Sequence, residues 1–72
     1  MKLTVDQEAD ALYLNLDDRP ATDSREIAPG VILDYDQEGK VVGMEMLHLS
    51  KRAAKSSLEH LQVEPARLVS AL

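Results

Sequence analysis

Apolar and polar residues alternate along the first part of the chain. Leu3 and Val5 are interleaved with Lys2 and Thr4, and Leu12, Leu14 and Leu16 with Tyr13 and Asn15. A period of two belongs to strands, whose side chains point to opposite faces in turn. Strands are therefore expected over residues 2–5 and 11–16, with Leu3 facing Leu14 and Val5 facing Leu12. Residues 7–10 become a four-residue loop, within the usual hairpin range. A helix over residues 6–16 is the competing reading, since Glu8, Ala9 and Ala11 favour it, but the apolar period there is two.

The stretch from Val31 to Ser50 organises the rest. Residues 31–35 and 41–47 are rich in β-branched and long apolar side chains, and a polar tetrad ending in Gly39 separates them. Glycine supplies the positive φ that closes a type I turn followed by a one-residue bulge. With Asp36 paired to Lys40, Tyr35 faces Val41, Leu33 faces Gly43 and Val31 faces Glu45. The second face then carries Asp34 with Val42, Ile32 with Met44, and Met46 and His48 beyond. In this register both faces are largely apolar, so both need a cover.

Asp17-Asp18-Arg19-Pro20 ends the early strand, because proline donates nothing to a ladder. A short third strand is expected over residues 24–28, and Pro29-Gly30 bends the chain into the central hairpin. The expected sheet is a meander of four to five antiparallel strands in sequence order. After Leu49 the period changes. Ser50 can cap a helix carrying Ala53, Ala54, Leu58 and Leu61, or Ser56 with Glu59 can form a capping box one turn later. Pro65 is placed to begin a last helix with Leu68, Val69 and Leu72 inward. The fold class is α+β, with the sheet in residues 1–49 and a helical tail packing on it in residues 50–72.

Composition narrows the classes. Seventy-two residues make one small domain, and such a chain buries only about 60% of its unfolded surface. It has no cysteine to staple it, which suits a reducing cytoplasm. With one face of the hairpin left over, a homodimer is expected. The formal charge of −5 disfavours nucleic acid and anionic lipid as partners. No apolar run approaches the roughly 20 residues of a membrane helix.

Candidate chemistry is sparse. Asp34-Tyr35-Asp36-Gln37-Glu38-Gly39, followed by Glu45, matches calcium-loop spacing except for glutamate at the fifth position. Such a loop needs flanking helices, and here the flanks alternate like strands. An acidic β-turn is therefore expected, with Asp36 and Gly39 as turn residues and no metal. His48 and His60 have no paired ligand at metal spacing. Asp34 beside Asp36 is the candidate for a raised pKa and a role as base, but no nucleophile is placed to join it. In the register above Asp34 and Glu45 point to opposite faces. Lys51, Arg52 and Lys55 form a small basic cluster that reads as a solvated helix face. Gly43 leaves a bare patch opposite Leu33, and Glu45 beside it needs solvent, a partner or a cation such as Arg25. Gly43, Glu45, Leu33 and Tyr35 are thus the expected interface.

The run from Glu8 to Leu14, then Pro29-Gly30-Val31, Asp34-Tyr35-Asp36, Gly39 and the stretch from Val42 to Leu47 resemble the domain of unknown function 2283 family. The resemblance covers about residues 1–52, with methionine at 44 and 46 where the family usually has isoleucine. It implies a small β-meander with a C-terminal helix in bacterial and archaeal proteins. It carries over no catalytic residue and no cofactor. Neighbourhood to small toxin-like proteins, suggested for the family, implies that the chain is itself an antitoxin-like partner of a small toxin. Two functions follow as expectations. One is a small acidic, non-catalytic protein-interaction module. The other is a metal- or carboxylate-dependent protein using Asp34, Asp36 and Glu45.

Overall fold

The computed structural model describes residues 1–62. Its elements are β1 (Lys2–Asp6), β2 (Ala11–Asn15), β3 (Asp23–Ala28), β4 (Val31–Tyr35) and β5 (Val41–Leu47). A tight helical turn, Leu49–Lys51, and a short helix α1 (Lys55–Glu59) follow. All strand pairs are antiparallel, so the α+β class is as expected. No helix among the described residues is long and apolar enough to cross a membrane.

The first hairpin has the register its leucines dictate, Leu3 opposite Leu14 and Val5 opposite Leu12. Strands β3, β4 and β5 form a meander. The two runs do not join in sequence order, because the sheet reads β1-β2-β5-β4-β3. Strand β5 lies beside β2, which gives strands β2 to β5 the Greek-key arrangement. The link over residues 16–22 therefore carries the chain from the middle of the sheet to its far edge. It is held where it starts, since the Leu16 N–H donates to the Val42 carbonyl at 2.9 Å, and where it ends, since the Thr22 N–H donates to the Tyr35 carbonyl at 2.8 Å.

The β4–β5 turn forms as the sequence requires. The Asp36 N–H donates to the Lys40 carbonyl at 2.8 Å and the Gly39 N–H to the Asp36 carbonyl at 3.0 Å, with Gly39 at φ 80. Tyr35 then faces Val41, but Asp34 faces Gly43 rather than Val42. Val42 is an extra residue, a bulge. Beyond it every expected pairing moves by one: Leu33 faces Met44, Ile32 faces Glu45 and Val31 faces Met46. In a strand, one residue of slip exchanges the faces.

This slip corrects the expectation of two apolar faces. One face collects Leu3, Val5, Leu12, Leu14, Met44, Met46, Val31, Leu33 and Tyr35, with Asp23, Arg25 and Ala28 at the β3 edge; the other collects Lys2, Thr4, Asp6, Tyr13, Asn15, Gly43, Glu45, Asp34, Ser24 and Glu26, with Ala11, Ile32 and Leu47 among them. The physical reason is the gain from gathering most aliphatic and thioether side chains on one surface, which the straight register would have split. The eight aliphatic and thioether residues of the first face are nevertheless only half-buried. Among the described residues the buried apolar side chains are Val42 and Leu49.

The segment after β5 also departs from expectation. Ser50 does not cap a helix. Its N–H and hydroxyl both donate to the Asp10 carboxylate, at 2.9 and 2.7 Å, while the Leu49 N–H donates to the Asp10 carbonyl at 3.1 Å. Asp10 takes the left-handed conformation, φ 54, which a short polar side chain tolerates. With Ser50 engaged elsewhere, α1 starts from Ala54 without a side-chain cap. Ser56 and Glu59 both lie inside it, so they form no capping box. The last helix expected around Leu68, Val69 and Leu72 lies outside the described residues.

Candidate functional site

The polar face is built across three strands. Tyr13 lies opposite Glu45, and Gly43 lies opposite both Asn15 and Asp34. The Tyr13 hydroxyl donates to Asp34 Oδ2 at 3.1 Å, and the Ser24 hydroxyl donates to Asp34 Oδ1 at 2.6 Å. Strands β2 and β4 do not pair, since β5 lies between them. The phenol spans the gap because Gly43 has no side chain in its way. A Cβ there would meet the Tyr13 hydroxyl at 2.6 Å, Tyr13 Cζ at 3.2 Å and Asp34 Oδ2 at 3.3 Å.

Burial pushes the Tyr13 pKa up, and the hydrogen bond to Asp34 raises it further by holding the phenolic proton, with the charges of Asp34 and Glu45 adding to the shift. A phenol so placed stays protonated and donates. Both oxygens of Asp34 are occupied by hydroxyl donors. The cluster is a rigid polar tie across the sheet.

The expected site residues do not share a surface. Gly43 and Glu45 lie on the polar face, whereas Leu33 and Tyr35 lie on the other. Asp34 and Glu45, expected on opposite faces, lie on the same one. The expected contact of Arg25 with Glu45 is absent for the same reason. Arg25 is opposite Leu33, pairs with Asp23 at 3.4 Å and stands over the Tyr35 ring at 5.7 Å from its centre.

Asp36 serves the turn. Its Oδ1 accepts the N–H groups of Glu38 and Lys40, both at 2.9 Å, and its Oδ2 meets Arg19 Nη1 at 2.6 Å. It is 7% exposed. The Lys40 N–H foremost, then the Glu38 N–H and the Arg19 charge, hold its carboxyl below the ordinary range. The ion pair fastens the β2–β3 link to the β4–β5 turn. Among the described residues no three His, Asp or Glu side chains are grouped to hold a metal ion.

Part of the basic cluster is structural. Arg52 donates to the Leu47 carbonyl at 2.7 Å and to the Pro29 carbonyl, and Lys55 pairs with Glu59 at 3.8 Å. Sequence reasoning missed Tyr13, Ser24, Arg19 and the Asp10–Ser50 pair. Tyr13 did carry a signal, as the one aromatic residue on the side of β2 away from the leucines.

Residues 2–50 match the model of a family described as Protein of unknown function (DUF2283). No curated protein and no solved structure matches the chain.

Proposed function

The chain belongs to the DUF2283 family, and we propose that it is a non-catalytic protein-interaction module that works through its apolar sheet face. The observation carrying this reading is the half-burial of the eight aliphatic and thioether side chains that β1, β2, β4 and β5 place on that face. An antiparallel sheet is stable with one face wet, but the apolar face needs a second layer. The occupant is a second copy of the chain. Asp6, Asp34 and Glu45 lie on the polar face, and the charges on the apolar side of the strands, Asp23 and Arg25, pair with each other on the exposed edge strand β3. Two chains of charge −5 can therefore stack apolar face to apolar face without burying those charges, as the layers of a sandwich do. The same segregation turns the acidic faces outward, where a small basic protein would meet them, as an antitoxin-like role requires.

Engagement of both Asp34 oxygens and both Asp36 oxygens in structural bonds supports the non-catalytic part. Sedimentation at micromolar concentration tests the reading, comparing the wild type with Met44→Glu and the milder Met44→Gln, each checked for strand content by circular dichroism. Met44→Glu is expected to halve the assembled mass. A monomeric wild type, or a folded Met44→Glu protein of unchanged mass, would overturn it.

One observation favours the carboxylate alternative, the shared face of Asp34 and Glu45. Calorimetric titration with calcium decides it. Saturable heat that disappears in Glu45→Gln would establish an ion site there.

A further inference from the structure

The two edges of the sheet, β1 and β3, are unlike. Strand β3 is a poor template for another strand. It is exposed along its whole length, carries Asp23, Arg25 and Glu26, and bulges at Ile27, where the register with β4 breaks. Charge and bulges are the usual protections of an edge. Strand β1 has no register break against β2, and its sequence, Lys-Leu-Thr-Val-Asp, is complementary to itself when reversed.

We propose that the β1 edges of two copies pair antiparallel about a two-fold axis at Thr4. That axis sets Thr4 opposite Thr4, Leu3 opposite Val5 and Lys2 opposite Asp6, twice over. Residues directly opposite in an antiparallel pair share a face, so each match is also a match of surface. The Lys2–Asp6 pairs and the threonine pair lie on the polar face, and the Leu3–Val5 pairs continue the apolar one. Lys2, Thr4 and Asp6 are exposed, and among the described residues neither Lys2 nor Asp6 belongs to an ion pair. Asp6 Oδ1 accepts the Ala9 N–H at 3.0 Å, which leaves Oδ2 for the lysine of the second copy. Such a contact is isologous and closes on itself. Two five-stranded sheets become one continuous sheet with both apolar faces on one side. The inference stands on the edge and does not rest on the stacking of apolar faces.

The chain contains no cysteine, so a single introduced thiol reports on one position. Only a residue on the two-fold axis faces its own copy, at a spacing that a disulfide accepts. Thr4→Cys, Lys2→Cys and Gln37→Cys are oxidised in parallel at micromolar concentration, and covalent dimer is followed on non-reducing gels. Thr4→Cys is expected to link at least about tenfold faster than the other two, and Lys2→Glu added to Thr4→Cys slows the linkage. Equal rates at the three positions, or no effect of Lys2→Glu, would overturn the pairing. In a Met44→Glu background, linkage through Thr4→Cys persists if the edge pairs by itself; its loss in a folded protein also overturns the proposal. A failure of face stacking alone shows in sedimentation and leaves the cross-link intact.

Discussion

The hydroxyl of Tyr13 occupies the space that a side chain on Gly43 would fill, 2.6 Å from where the Cβ would stand. Gly43 is buried, so any substituent must displace the phenol and disturb its bond to Asp34. Gly43→Ala is expected to destabilise the fold by about 1–3 kcal/mol, as overpacking does. Urea unfolding midpoints check this. In a Tyr13→Leu background the same substitution should cost less, and a strictly additive double mutant would show that the two residues do not compete.

Tyr13 should titrate late. Its pKa lies above the ordinary 10.0 in the folded chain. A group raised on folding contributes stability that is present below its unfolded value and lost as pH climbs through the folded one. Ultraviolet titration of wild type against Tyr13→Phe isolates this phenol from Tyr35. Asp34→Asn should move the midpoint back towards 10.0; no movement would show that burial and Glu45 set it without Asp34.

Acid should act in the opposite direction. The carboxyls of Asp10, Asp17 and Asp36 are all held below 3.8. The leading cause for Asp10 is the Ser50 hydroxyl, for Asp17 the Arg19 N–H and for Asp36 the Lys40 N–H. Groups lowered on folding contribute stability that is whole above the unfolded value and disappears as pH falls through the folded ones. Denaturation midpoints should therefore be flat above about pH 5 and fall below it. Asp36→Asn should flatten part of that slope, and an unchanged profile would place the acid sensitivity elsewhere.

Glu45 now carries a different expectation from the one its sequence suggested. It lies opposite Tyr13 and Ile32, on the face away from Leu12, Leu14 and Leu33. Glu45→Ala is expected to leave the sedimentation mass of the assembled protein unchanged. A drop to that of Met44→Glu would move the interface to the polar face.

The β1–β2 hairpin was legible residue by residue, because alternation of leucine with polar residues leaves one register that keeps the leucines together. So was the β4–β5 turn, where Gly39 has a chemistry of its own. Val42 was not legible from its type, since a valine inside a strand looks the same whether it pairs or bulges. Its neighbours held the clue. Only a slip of one residue brings Met44 and Met46 to the side of Val31 and Leu33. The strand order was hidden because it depends on where residues 16–22 travel, and Arg19 finds Asp36 across 17 positions of sequence. Ser50 misled because a serine before a helical stretch looks like a cap, while Asp10, remote in sequence, is the stronger acceptor.

Removal of Val42 would leave the remaining residues of β5 opposite the partners they already have, because the ladder is in register with β4 on both sides of it. Loss of any residue from 44–47 would instead send its successors to the wrong side. A shortened chain lacking Val42 would thus keep the pairing of its two surfaces, lose a buried side chain and lose an anchorage, the carbonyl that receives the Leu16 N–H at 2.9 Å and the Asp17 N–H at 3.4 Å. Chain length at this one point is uncoupled from the arrangement of faces and coupled to the departure of the crossover. Natural variants shortened here are expected to change how residues 16–22 leave the sheet before they change what either surface presents.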